Sequence, residues 1–201
     1  YGHVTECLWQ DNDWASVTDE ERATIKARQG VAMPMMEDIT VMDDKMEQIP
    51  MDSATQGEIM IRGNSVMKGY YKNKEATNSA FKGGYFHSGD IAIQHSDSYI
   101  QIADRAKDII ISGGENISSV EVEGVLMAHE SVSLCAVVAM PDEKWGEVPC
   151  AFVELLPKTV TSEDELIDFS RSKIAGFKCP KKIIFCELPK TSTGKIQKFE
   201  L

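Results

Sequence analysis

The sequence predicts an α+β protein in two parts, a β-rich stretch over residues 1–104 and a small α+β domain over residues 105–201. Three observations lead there. Between residues 31 and 104, apolar residues alternate with polar ones between turn residues, which is the two-residue period of strands. Beyond residue 108, two stretches with apolar residues at helical spacing, each opened by a Ser with a Glu three residues on, lie among apolar runs. The polar segment ADRAKD, residues 103–108, separates the two patterns.

The elements follow in order. In TDEERATIKARQG, Thr18 and Glu21 have capping-box spacing and start a short helix, with Gly30 near its end. Residues 31–104 read as strands and turns. GEIMIRG sets Ile59 and Ile61 against Glu58 and Arg62, a strand with one apolar face. GGYFHSGDIAIQHSDSYIQIADR reads as strand, loop, strand, turn, strand, which puts HSGD in a loop. KDIIIS is a short strand. Ser118 and Glu121 open a helix with Val122, Val125, Leu126 and His129 on its spacing. SLCAVVAM and VPCAFVELL are strands joined by the polar PDEKWGE, Ser162 and Glu165 open the next helix, and KKIIFCEL is a last strand. The expected order is β-α-β-β-α-β, helices packed on a small sheet.

Composition bounds the function. With 42% apolar and 26% charged residues among 201, the chain is in the globular range. A net charge of −11 argues against general nucleic-acid binding, which needs clustered cations, but leaves nucleotide cofactors open. No apolar run reaches the ~18 residues of a helical membrane span. Five cysteines without a CxxC pair read as reduced thiols of an intracellular protein, and no His/Cys set has zinc spacing. The absence of an initiator Met leads us to expect a piece of a longer protein.

Several short stretches carry chemistry. In SGGEN, Gly113 and Gly114 can aim backbone N–H groups at one point, a nest for a ligand, or form a plain turn between strand and helix. TSTGK is not a phosphate loop: Pro189 stands where the first Gly belongs and Ile196 where Ser or Thr should follow the lysine. On these grounds alone Lys195 is a lysine at a turn. Asp90 in HSGD is either an acceptor for ribose hydroxyls or an ordinary loop carboxylate. YGHVTE offers an aromatic face, a hydroxyl and a carboxylate. Trp145 reads as a packing or interface residue.

Five of these stretches occur in an order that resembles the C-terminal part of the acyl-adenylate-forming (AMP-binding) superfamily. YGHVTE is similar to the YGxTE motif and RGNSVMKGYY to RGxxxMxGY. GGYFHSGDIA is similar to the motif ending in TGD, with Ser88 for Thr. DRAKDIIISGGENISSVEVE resembles the hinge and glycine loop, and LPKTSTGKIQK resembles LPxTxxGK. The likeness covers essentially the whole chain and is nearest medium-chain and plant-type acyl-CoA synthetases. It implies that the first part is the β-rich end of a large N-terminal adenylate-binding domain and the second a small mobile C-terminal domain. The implied reaction is ATP-dependent activation of a carboxylic acid to acyl-AMP, then transfer to coenzyme A, with Mg2+ as cofactor. Tyr1 would stack on adenine, with Gly2 in the same nucleotide-binding motif. Thr5 would touch the ATP phosphates and Glu6 would hold Mg2+. Asp90 would bind the ribose, with Arg105 beside it. Lys107 would be the hinge, Gly113 and Gly114 would line the path of the pantetheine, and Lys195 would be the catalytic lysine. The resemblance implies a cytoplasmic or peroxisomal location. Two further readings stand: an enzyme that loads an acyl carrier protein, and a non-catalytic nucleotide- or CoA-binding module. Ser98 in HSDSYI departs from the family's turn, which has Gly there. The family's phosphate loop and acyl pocket would lie N-terminal to Tyr1.

Overall fold

The computed structural model describes residues 3–201; Tyr1 and Gly2, and the side chains of Asn12 and Asp13, lie outside the described residues. The chain divides into two compact units, Tyr1–Ala106 and Lys107–Leu201.

The first unit begins with strand β1 (Thr5–Glu6), helix α1 (Asp11–Trp14), helix α2 (Asp19–Lys26) and strand β2 (Val31–Ala32). The Thr18 capping box forms in full: its hydroxyl accepts from the Glu21 N–H, and the Glu21 carboxylate accepts from the Thr18 N–H. Strands β1 and β2 pair antiparallel. Strands β3 (Met36–Met42), β4 (Gln56–Gly63), β5 (Phe86–Gln94) and β6 (Ile100–Arg105) form an antiparallel sheet in that order. Its buried face is a cluster that includes Val41, Ile59, Ile61, Phe86, Ala92 and Ile100. Helix α3 (Lys74–Ala80) corrects the reading of residues 31–104 as strands and turns alone. It has no buried residue and hence no apolar stripe, and only its N-cap Asn73, whose Oδ1 accepts from the Ala76 N–H, marks it in the sequence.

Gly30 joins these parts. Its backbone pairs with Ile100 of β6, and a Cβ on it would come within 1.9 Å of the Glu6 carbonyl oxygen. With φ at +88° the position suits glycine alone. Close backbone approach here sets the β1–β2 pair against the edge of the main sheet.

The second unit starts with strands β7 (Ile110–Ser112) and β8 (Glu115–Ile117) and helix α4 (Ser119–Met127). Strands β9 (Val132–Asp142) and β10 (Gly146–Leu155), helix α5 (Glu163–Arg171) and strand β11 (Lys182–Phe185) follow. β9 pairs antiparallel along one edge of β10; β11 pairs parallel along the other, with β7 meeting that strand at Gly146. The order is therefore β-β-α-β-β-α-β, one strand more than expected. SGGEN does not join strand to helix but closes the β7–β8 hairpin, with Ser112 opposite Glu115. Gly113 and Gly114 have φ of +61° and +90°, the two left-handed positions of a two-residue hairpin turn. Both helices are capped where the sequence predicts: Ser118 Oγ accepts from Glu121 N–H and Ser162 Oγ from Glu165 N–H. His129 lies two residues past the end of α4 rather than on its face, edge-on to the Phe169 ring.

Val122 and Leu126 of α4 and Leu166 of α5 meet Val137, Ala151, Val153 and Ile183 of the sheet in one buried cluster. Leu166 has no exposed surface. Leu166→Ala is expected to cost about 2–5 kcal/mol, transfer of the lost methyl groups plus a residual cavity, measured by denaturant unfolding. All five cysteines are free thiols. Burial, with the Glu123 carboxylate nearby, pushes the Cys135 thiol up to about 12, so this cysteine is a packing residue.

Candidate functional site

In the first unit, four residues of the sequence reading are described. Thr5 and Glu6 make up β1, with Thr5 partly buried and the Glu6 side chain exposed. Tyr1 and Gly2, expected at the adenine, lie outside the described residues. Among the described residues no group of three or more His, Cys, Asp or Glu side chains forms a metal cluster. The donor chemistry still fits Mg2+: this ion is held by one or two carboxylates together with substrate phosphates and water, so an exposed Glu6 suffices from the protein.

Asp90 is not in a loop between strands, which corrects the sequence reading. It sits within β5, which runs unbroken through HSGD. Across β4 and β5, Glu58 pairs with Ile91 and Met60 with His87, so the residues from 88 to 90 oppose Ile59 alone. This bulge turns on Gly89, at φ +73°. On the far side Asp90 pairs in register with Arg105 of β6, and Arg105 Nε lies 2.6 Å from Asp90 Oδ1. The Asp90 N–H donates to Ser88 Oγ at 3.0 Å. Burial raises the Asp90 carboxyl above its usual range; Arg105 pulls it back, and the Glu58 charge adds to the rise. The arrangement is a partly exposed carboxylate steadied by a guanidinium, which can accept from hydroxyl donors such as those of a sugar.

In the second unit, Lys107 is exposed in the turn before β7. Gly113 and Gly114 differ in surroundings. A Cβ on Gly113 would meet the Trp145 ring at 2.8 Å, whereas a Cβ on Gly114 would have no atom within 4 Å. The Gly113 N–H is spent on the Trp145 carbonyl at 2.8 Å, so the turn is not a nest of free donors. Beside it, Trp145, Phe177, Lys181, Glu115 and Gly176 line a groove of ≈ 270 Å³. Sequence reasoning missed this groove. Trp145 and Phe177 are 45% and 46% exposed, and half-exposed aromatic residues are unusual enough to be a signal once the fold brings them together.

Lys195 follows a turn at Gly194, φ +84°, in a segment where Lys190 pairs with Ile196. Its own N–H donates to Thr191 Oγ1 and its carbonyl accepts from the Thr191 N–H. The lysines on either side are neutralised. Lys190 Nζ donates to both oxygens of Glu154 at 2.7 and 2.9 Å, and this bond, with the Leu188 N–H, holds the Glu154 carboxyl below its usual range. Lys198 Nζ lies 2.6 Å from Glu123 Oε1 and donates to Ser119 Oγ. Lys195 is exposed and takes part in no ion pair among the described residues.

Residues 121–195 match the model of the AMP-binding enzyme C-terminal domain, and the chain as a whole is similar to the C-terminal third of plant acyl-activating CoA ligases. It is 50% identical over 207 residues to an acetate–CoA ligase of Humulus lupulus, covering 100% of this chain and 36% of that protein. It is also 50% identical to a peroxisomal acetate/butyrate–CoA ligase of Arabidopsis thaliana, over 98% of this chain and 36% of that one. The crystal structure of ATP-bound MatB from Rhodopseudomonas palustris superposes with a TM-score of 0.81 at 31% identity, covering 87% of this chain and 35% of that one. The chain thus spans about a third of the length of these relatives.

Proposed function

We propose that this chain is the C-terminal part of an acyl-CoA synthetase that activates a carboxylic acid with ATP and passes the acyl group to coenzyme A. One observation carries this reading: of the three lysines between residues 190 and 198, the flanking two are paired and Lys195 is left as an exposed cation on a glycine turn. A neutralised segment presenting a single charge suits electrostatic work on an anionic reaction.

Both reactants of the first step are anions. A carboxylate oxygen attacks the α-phosphorus of ATP, an O–P bond forms, and pyrophosphate leaves, giving acyl-AMP. Charge builds on the α-phosphoryl oxygens, and Lys195 supplies a cation there. Asp90 Oδ2 accepts from the ribose hydroxyls while Arg105 steadies Oδ1, and Thr5 donates to a phosphate. Glu6 would hold Mg2+, which neutralises phosphate charge when bound. Tyr1 and Gly2 complete the nucleotide contacts. In the second step the coenzyme A sulfur attacks the acyl carbon and AMP leaves. The second unit turns about Lys107, withdrawing Lys195 and bringing Gly113 and Gly114 to the path of the thiol arm. The groove between Trp145 and Phe177, with Lys181 at its edge, suits the nucleotide end of coenzyme A, a stacking base beside phosphates. The acid is short-chain by likeness to the relatives above, and the location is peroxisomal or cytoplasmic.

The test is to assay the full-length protein for AMP and acyl-CoA with ATP, coenzyme A and acetate or butyrate. Acid-dependent release of both is expected, with the isolated 201-residue chain far slower. Turnover of ATP to ADP, or no acid-dependent AMP, would overturn the reading.

A further inference from the structure

The bulge that presents Asp90 is held by side chains that the proposed reaction leaves unused. Glu58, on β4, directs Oε1 to the Gly89 N–H at 2.8 Å and Oε2 to His87 Nδ1, also at 2.8 Å. His87 Nε2 in turn lies 3.1 Å from the Lys82 carbonyl oxygen. Glu58 and His87 are both about one-quarter exposed or less, with side-chain exposures of 23% and 22%. A half-sunk carboxylate is costly unless its oxygens are satisfied, and here both are, on residues flanking the bulge.

The geometry explains the need. Gly89 at positive φ turns its N–H out of the β4–β5 ladder, where only a side chain can meet it. Its carbonyl is held from the other edge by the Ala106 N–H at 2.8 Å. One residue further on, Asp90 faces Arg105. A bulged strand that loses its anchor relaxes toward a regular ladder, and a slip of one residue carries a side chain to the opposite face of the sheet. We propose that Glu58, braced by His87, is a positioning residue for Asp90: it fixes the bulge that aims the carboxylate at a ribose. This rests on the reading of Asp90 as the ribose acceptor.

The test uses the full-length enzyme and compares kcat/KM for ATP, 2′-deoxy-ATP and 3′-deoxy-ATP, with the thermal midpoint recorded. Asp90→Asn reports the ribose contact itself. Glu58→Ala is expected to lower kcat/KM for ATP by roughly 10²-fold, the usual loss for a reacting group displaced by about an ångström. The loss should fall mainly on KM, and ribose discrimination should shrink to that of Asp90→Asn. Glu58→Gln keeps an acceptor for the Gly89 N–H and should retain most of the discrimination. Should Glu58→Ala fail to fold, His87→Ala, which frees Oε2, is read in the same way. If Asp90→Asn loses discrimination while Glu58→Ala or His87→Ala keeps the wild-type ratio, Glu58 is a structural residue only and this proposal falls alone. If Asp90→Asn keeps the wild-type ratio, the ribose reading falls and takes this proposal with it.

Discussion

Lys195→Ala in the full-length enzyme is expected to slow acyl-adenylate formation by roughly 10²–10³-fold, the usual effect of removing one preorganised charge-stabilising donor. The flanking lysines cannot substitute. Lys190 is tied to Glu154 and Lys198 to Glu123, and breaking either pair would strand a carboxylate. Attack of coenzyme A on supplied acyl-AMP should stay near the wild-type rate, because the proposed rotation withdraws the lysine before that step. Stability should change little, since the side chain is exposed. Single-turnover kinetics of each half-reaction, with a thermal midpoint as control, decides the matter. Unchanged adenylation would make Lys195 a solvated turn residue. Parallel losses in both half-reactions and in the midpoint would make it structural.

Gly114→Leu should spare adenylation and cut thioester formation by at least roughly tenfold, the cost of a bulky group in the proposed path of the thiol arm. The open space around this position makes the result interpretable. No atom lies within 4 Å of a Cβ there, so the first carbon of the new side chain meets no neighbour. What it does carry is backbone strain, because φ is +90°. Gly114→Asn separates the two effects, since Asn tolerates left-handed backbone while projecting less bulk. Pyrophosphate exchange and acyl-CoA yield should be measured side by side. Equal losses in both, or equal behaviour of Leu and Asn, would remove Gly114 from the thiol path.

What the residues announced and what they hid follows from range. The caps at Thr18, Ser118 and Ser162 are local chemistry within four residues, and each was legible. Helix α3 was not, because no apolar stripe betrays a helix with no buried face. The unbroken course of β5 through HSGD was hidden for the opposite reason. Gly89 looks like a breaker until Glu58, thirty-one residues away, takes up its N–H. The Gly-Gly pair was legible as a turn, but its partner strand β8 is only three residues long and largely polar. Lys195 could be separated from a phosphate-loop lysine by spacing alone. Its isolation among paired lysines could not, since Glu154 and Glu123 lie on distant elements.

The packing of Trp145 over Gly113 gives the molecule an optical label. Its three tryptophans are unevenly placed: Trp9 and Trp14 stack edge-on to each other in the first unit, and Trp145 is alone in the second. An indole that is half in solvent emits according to what touches it, and this one sits on the turn and groove assigned to the thiol substrate. With Trp9 and Trp14 replaced by phenylalanine, Trp145 is the one tryptophan left in these 201 residues, and the emission of this chain would report events at one place, the glycine turn, in real time.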